Sequence, residues 1–145
     1  MKEKKTVEFI GSIFGAIIGL IVMNTYLIWQ RYTHGVVLDS WFNILWAANL
    51  SMVVSIVGNL LLAVYRPASM YSFVQMVISV TSVLSAFVFF TVFPVDFAQI
   101  GLGFFNYILR ILTIVGMVGG SISVVVYLVW LLTGKQYKPA VTIAQ

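Results

Sequence analysis

Few side chains in this sequence of 145 residues have the types and spacing that chemistry requires. His34 is the only histidine and cysteine is absent, so the usual ligand sets of zinc, haem and iron–sulfur sites cannot be assembled. The run Gly119-Gly120-Ser121 has no histidine or lysine at its depth, although a nucleophilic serine needs a nearby base. We therefore expect no catalytic residue, no cofactor, no metal and no enzymatic activity.

Coupled transport is disfavoured by the placement of the acidic residues. A proton- or sodium-coupled transporter usually carries its coupling charge on a carboxylate within the membrane, and no Asp or Glu lies inside a long apolar stretch of this sequence. Small multidrug transporters also have four helices, but they place a glutamate in the first helix, where this chain has only Asn24 as an internal strong polar group. The resemblance to that family therefore fails at its essential residue.

Arg110 is the charged residue that most needs an explanation, because it adjoins the last apolar stretch one turn after Asn106 and Tyr107. One interpretation is an arginine that extends to the lipid headgroups. The other is an ion pair with Asp96 or Asp39 that pins the outer loops or meets an anionic ligand. We carry both interpretations forward.

The composition indicates which elements position these residues. Hydrophobic residues make up 61% of the chain and charged residues 8%, against about 45–50% and about 25% in soluble domains. This excludes a soluble domain, a disordered chain and a nucleic-acid binder with a basic face. Four segments are free of charge: Phe9–Gln30, Ser40–Tyr65, Pro67–Val95 and Ile111–Gly134. Each is long enough for one crossing of about 20 residues and none for two, and the apolar runs do not alternate as barrel strands do.

We predict an all-α fold, an integral membrane four-helix bundle that forms a single transmembrane domain over residues 1–145. The predicted helices lie at about 8–31, 41–65, 69–93 and 107–133, followed by a short cytoplasmic tail at 134–145. Six of the eight Lys and Arg residues fall on the side of the termini, which by the positive-inside rule places both ends in the cytoplasm. The expected location is the cell membrane (plasma or inner membrane), with the lipid bilayer as solvent. The same bias disfavours small fluoride channels, which insert in both orientations.

Glycines predict how the helices pack. Gly11, Gly15 and Gly19 are spaced by four in the first helix, a glycine-zipper pattern, and Gly116 and Gly120 repeat it more weakly in the fourth. Small residues allow the close backbone approach that drives helix association in lipid. The pattern predicts packing against a neighbouring helix of the same chain, with self-association or a pore as the alternative.

The second and third helices are joined by a short turn at Arg66–Ala68, so they must be antiparallel neighbours. Positions that sum to 134 then lie at equal depth, which pairs Asn59 with Gln75 and Ser55 with Ser79. An unpaired amide in hydrocarbon costs several kcal/mol, so we predict an Asn59–Gln75 hydrogen bond. These groups either join the two helices or line a polar cavity.

The opening run Lys4-Lys5-Thr6-Val7-Glu8-Phe9-Ile10-Gly11, continued by Phe14-Gly15, resembles the start of small uncharacterised bacterial tetraspan membrane proteins. The resemblance covers the first helix and implies a four-helix membrane fold. It implies no activity and no site residue.

Little catalytic or coupling chemistry is left, whereas packing motifs are abundant. The sequence thus predicts a small multi-pass membrane protein that acts through helix–helix contacts as a subunit, regulator or stabiliser of a membrane assembly. Its partner would be a larger membrane protein or a second copy, and not nucleic acid. The alternative is an oligomeric pore, channel or holin-like permeabiliser, and a binder of lipid or apolar small molecules is a third possibility.

Overall fold

The computed structural model describes residues 2–33, 35–65 and 67–134, with side chains from Phe9 onward. His34, which we expect to be exposed, lies outside the described residues, as do Arg66 and all of the predicted tail after Gly134.

The described chain is all-helical, as predicted. Its helices are α1 (Lys2–Asn24), α2 (Tyr26–Tyr32), α3 (Trp41–Val64), α4 (Ala68–Val92) and α5 (Phe104–Thr133), with a 3₁₀ turn at Phe97–Ile100 before α5. We call the end that holds residues 35–40 and 93–103 the loop end. The opposite end, where α1 begins and α5 ends, is the terminal end.

Three helices are long and apolar enough to cross a membrane, namely α3, α4 and α5. Their length and composition indicate a membrane protein. Pro67 precedes α4 in an extended conformation, because proline cannot continue α3 but is compatible with a helix start. The last helix begins at Phe104, three residues before the predicted 107, directly after Gly103.

The first predicted span differs from the structure, because two helices replace one. The segments Phe9–Asn24 and Tyr26–Tyr32 are bent by 62° at Thr25. The Asn24 side chain donates to the Leu20 carbonyl at 2.8 Å, and the Thr25 hydroxyl donates to the Val22 carbonyl at 2.9 Å. Asn and Thr side chains that bond the preceding turn compete with the backbone and bend or end helices. Counted as one broken span, the pair brings the number of possible crossings to four.

The helices pack in the order α1–α3–α4–α5, and in the described residues no interface of similar extent closes α1 onto α5. A small core lies at the terminal end, where Phe9, Leu62 and Val74 are buried together and Met70 and Ile78 pack against them. No residue of α5 is buried within the described chain. The arrangement therefore leaves both outer helices, α1 and α5, with a broad surface for lipid or for another protein.

Candidate functional site at the loop end

The two connections at the loop end are paired with each other. Val37 and Val95 form an antiparallel β-bridge, the Leu38 N–H donates to the Pro94 carbonyl at 2.9 Å, and the Asp96 N–H donates to the Val36 carbonyl at 2.7 Å. Backbone N–H and C=O groups of both loops are thereby hydrogen-bonded. Leaving such groups unpaired near the apolar helices would cost free energy. The pairing fixes the position of Asp96 relative to the first turns of α5.

Phe93 ends α4 in a left-handed conformation with φ 40°. Such a backbone in a residue other than glycine costs on the order of 1–3 kcal/mol and persists only where its surroundings impose it. The left-handed backbone at Phe93 turns the chain so that Pro94 and Val95 enter the paired loops. Phe93, Pro94 and Val95 are all buried. The strained residue thus forms one wall of the loop end.

Asp96 is the centre of a local hydrogen-bond cluster. Its Oδ1 accepts from the Ala98 N–H at 3.0 Å and from the Asn106 amide at 2.9 Å, and its Oδ2 accepts from the Gln99 amide at 3.3 Å. Asn106 in turn accepts from the Phe97 N–H at 2.9 Å, so it joins the loop to α5. The Asn106 bond, followed by the Ala98 bond, holds the pKa of the Asp96 carboxyl below its ordinary value, since both favour the anion.

Arg110 does not form the predicted ion pair. Its guanidinium lies over the Phe93 ring, 4.4 Å from the ring centroid, a cation–π contact. Among the described residues no ion pair joins it to Asp96, which is held by Asn106, or to Asp39, which accepts from Tyr26. Hydrogen-bond donors that are close in sequence occupy both carboxylates. The aromatic partner of Arg110 was not predicted from the sequence.

Arg110 and Asp96 nevertheless line one cavity of about 510 Å³. It opens between the 93–103 loop and the first two turns of α5. Its other lining residues are Leu38, Phe93, Val95, Ala98, Gly103, Asn106 and Tyr107.

A second polar group at the loop end surrounds the break between α1 and α2. Asn24 and Asn49 exchange hydrogen bonds at 2.7 and 3.1 Å and so join α1 to α3. The Trp29 indole donates to the Val22 carbonyl at 3.0 Å, and the Trp41 indole donates to the Met23 carbonyl at 3.0 Å. Both carbonyls are left without their regular helical partners by the bend. This cluster was not predicted from the sequence, although the pair Asn24-Thr25 and the nearby Trp29 and Trp41 were its signal there.

The predicted Asn59–Gln75 hydrogen bond is wrong. The buried Asn59 amide donates within its own helix, to the Ser55 carbonyl at 2.7 Å and to the Ser55 hydroxyl at 3.3 Å. Ser55 therefore pairs with Asn59, and the pairing of Ser55 with Ser79 stays a prediction. A carbonyl one turn away satisfies an amide without any register between helices, which the pairing argument overlooked.

The hydroxyls that do meet between α3 and α4 are those of Ser51 and Ser82, at 3.4 Å. Their positions sum to 133, one less than predicted, so the expected antiparallel arrangement is correct to about one residue. Ser51 and Ser82 line a second cavity, of about 390 Å³, between α4 and α5. Ser85, Thr113 and Gly116 also line it.

The five glycines predicted to pack divide into two groups. A Cβ added at Gly19 would lie 3.0 Å from Met52 Cε of α3, and one at Gly120 would lie 2.5 Å from Val83 Cγ2 of α4. A Cβ at Gly11, Gly15 or Gly116 would meet nothing within 4 Å. Predicted packing within the chain is therefore wrong for these last three.

The difference has a geometric cause in α1. A spacing of four residues advances about 400° around a helix, so each glycine is turned by about 40° from the one before. Gly19 thus reaches the side of α3, while Gly11 and Gly15 point away from it. Gly58, which the sequence analysis did not select, makes a close contact, since its Cβ would lie 2.8 Å from Val74 Cγ1.

The described residues contain no group of three His, Asp or Glu side chains arranged to hold a metal ion. What the loop end offers instead is an anion, a cation and aromatic rings around one cavity, an arrangement suited to binding. Comparisons of this chain with protein-family models, curated proteins and solved structures find no match.

Proposed function

We propose that this chain is a small multi-pass membrane protein without catalytic chemistry, which acts through helix–helix contacts as a subunit, regulator or stabiliser of a larger membrane assembly. The proposal includes four crossings, with α1 and α2 counted as one broken span. Both termini are cytoplasmic, and the membrane is the plasma or inner membrane.

The observation that carries the proposal is the open glycine face of α1. Gly11 and Gly15 have no neighbour within 4 Å of a Cβ position, and Phe14 and Ile18 beside them are 62% and 59% exposed. Two glycines one turn apart expose backbone that another helix can approach closely, which is a main source of association in lipid. Within the described residues, no other helix comes within 4 Å of a Cβ at either glycine.

The test replaces both glycines by leucine, Gly11→Leu with Gly15→Leu, in the full chain. We expect the variant to fold normally, because neither side chain meets another part of the chain. It should lose its partner when membranes are solubilised in mild detergent and the tagged chain is isolated. Mass spectrometry would identify and quantify the partner that is recovered. If the partner is a second copy of this chain, the mass of the detergent-solubilised complex would show it.

The matched control is a second double variant, Gly116→Leu with Gly119→Leu, because both are helical glycines on α5 that also meet nothing within 4 Å. It adds the same volume to the other outer helix and should leave the complex intact. Equal partner recovery from the glycine double variant and from the unaltered chain would contradict the proposal.

The second candidate function is an oligomeric pore, and the hydroxyl-lined cavity between α4 and α5 favours it. Ser82 and Thr113 already donate to carbonyls of their own helices, at 2.8 and 2.7 Å, but their oxygens remain able to accept from water. Several copies with these cavities facing one axis would line a polar path. Leak of a small dye from liposomes that contain the purified protein would favour the pore, and tight liposomes would favour the partner-binding function.

A further inference from the structure

The lining of the cavity at the loop end combines two side chains of opposite charge with apolar residues. Asp96 supplies the anion and Arg110 the cation, and the rings of Phe93 and Tyr107 lie beside them. A cavity of about 510 Å³ is within the range of pockets that hold small molecules or parts of lipids.

Arg110 has capacity for an anion. Its guanidinium plane rests on the Phe93 ring at 4.4 Å, which orients the group without using its N–H donors. A planar guanidinium with free donors matches the oxygens of a phosphate in a bidentate manner. Among the described residues no carboxylate pairs with it, so a phosphate would meet no internal competitor.

Asp96 has capacity for a cation on its outer oxygen. Oδ1 accepts two bonds, whereas Oδ2 accepts only the long bond from Gln99 at 3.3 Å. A carboxylate oxygen accepts more than one donor. The Asn106 contact fixes the carboxylate against α5, and Asp96 lines the same cavity as Arg110.

The depth of the cavity corresponds to the headgroup layer. Helix α5 has 30 residues, about 45 Å at 1.5 Å per residue, against about 30 Å of hydrocarbon. A centred helix then extends by about 7 Å at each end, roughly five residues. Arg110, the seventh residue of α5, lies at that boundary, with Asp96 farther out.

We propose that this cavity binds the headgroup of an aminophospholipid of the phosphatidylethanolamine class, with the phosphate on Arg110 and the primary ammonium on Asp96. The acyl chains would leave along the exposed, apolar surface of α5. This site is separate from the glycine face of α1, and it is independent of whether the chain acts through a partner helix.

The test measures lipid binding to the delipidated full chain in detergent by native mass spectrometry. The probes are short-chain phosphatidylethanolamine, phosphatidylcholine, phosphatidylglycerol and the soluble headgroup phosphoethanolamine. We expect phosphatidylethanolamine to bind about tenfold tighter than phosphatidylcholine, whose ammonium has no N–H donor, a ratio equal to about 1.4 kcal/mol. Phosphatidylglycerol, which has no ammonium, should bind more weakly as well.

Two variants assign the contacts. Arg110→Gln should weaken phosphatidylethanolamine binding by about tenfold, as expected for loss of a charge-assisted bond. Asp96→Asn should remove the preference over phosphatidylcholine while retaining residual phosphate binding. Arg31→Gln is the matched control, because Arg31 is an exposed arginine at the same end and does not line the cavity.

Three results would overturn the proposal. These are equal binding of phosphatidylethanolamine and phosphatidylcholine by the unaltered chain, unchanged binding in Arg110→Gln, and phosphoethanolamine binding as tight as that of the lipid, which would assign the site to a soluble ligand. Helix content by circular dichroism verifies folding. If Asp96→Asn unfolds, the lipid preference of the unaltered chain and the Arg110→Gln result decide the question without it.

Discussion

The loop end and the terminal end of this chain are held together by different interactions. At the loop end, side-chain and backbone hydrogen bonds join separate segments, as in Asp96 with Asn106 and Asn24 with Asn49. At the terminal end, the apolar side chains of Leu62 and Val74 pack together, next to a glycine at position 58 that lets α4 approach α3.

The two kinds of interaction contribute to stability in different ways. Within hydrocarbon no hydrophobic force drives helices together, so close packing has to supply the attraction. Near the headgroups water competes for every polar group, so hydrogen bonds there give direction and register more than stability. The two ends should therefore respond to different perturbations, the terminal end to changes of volume and the loop end to changes of charge and pH.

Removing volume from the terminal end should have the largest effect. Leu62 is 0% exposed, and Leu62→Ala leaves a cavity, which we expect to lower the free energy of unfolding by about 2–5 kcal/mol. Leu132→Ala is the control, since Leu132 is 77% exposed and should change it little. Unfolding in mixed micelles, followed by circular dichroism, measures both. Equal effects would show that this core does not stabilise the fold.

Adding volume at the same end should have the next largest effect. In Gly58→Val the new Cβ would lie 2.8 Å from Val74 Cγ1, and such overpacking typically costs about 1–3 kcal/mol. Gly116→Val adds the same side chain where nothing lies within 4 Å. We expect the first variant to unfold at clearly lower denaturant than the second. Coincident unfolding curves would contradict the close α3–α4 contact.

Breaking the amide pair at the loop end should have a smaller effect. Asn49→Leu removes both bonds to Asn24, and interhelical bonds of this kind contribute about 0.6–2 kcal/mol. Asn24 keeps its bond to the Leu20 carbonyl, which limits the loss. A double-mutant cycle with Asn24→Leu isolates the pair, and additive effects would mean that the two amides do not interact.

The mildest expected effect is a pH dependence confined to the loop end. Because the folded pKa of Asp96 is lowered, first by its bond from Asn106, its stabilisation is complete above the ordinary carboxyl range. It is lost as the pH falls through the lowered folded pKa. After correction for the pH dependence of the chemical exchange rate, the protection of residues 93–106 against hydrogen exchange should therefore fall in acid, and Asp96→Asn should remove this dependence. The same acid dependence in that variant would assign the effect to another group.

The sequence predicted those features that depend on hydropathy and chain connection. The charge-free segments placed α3 and α4 to within about a residue, and the short turn at Pro67 predicted their antiparallel contact. The features that were not predicted depend on the direction in which each residue points around its helix axis. Spacing alone did not show that Gly11 and Gly19 face different directions. The bend at Thr25 and the stacking of Arg110 on Phe93 likewise depend on local side-chain competition that composition does not reveal.

The bend at Thr25 also affects the thickness of the bilayer around this protein. The apolar part of α1, Phe9–Asn24, is about 24 Å long at 1.5 Å per residue, shorter than the hydrocarbon of an average membrane at about 30 Å. Helix α5, at the other edge of the helix row, is longer than that layer. In the proposed four-crossing arrangement we expect lipids beside α1 to thin or tilt, a deformation of the bilayer on one side of the protein only. We expect that asymmetric mismatch to draw the protein towards thin membranes and towards neighbours that share the thinned edge.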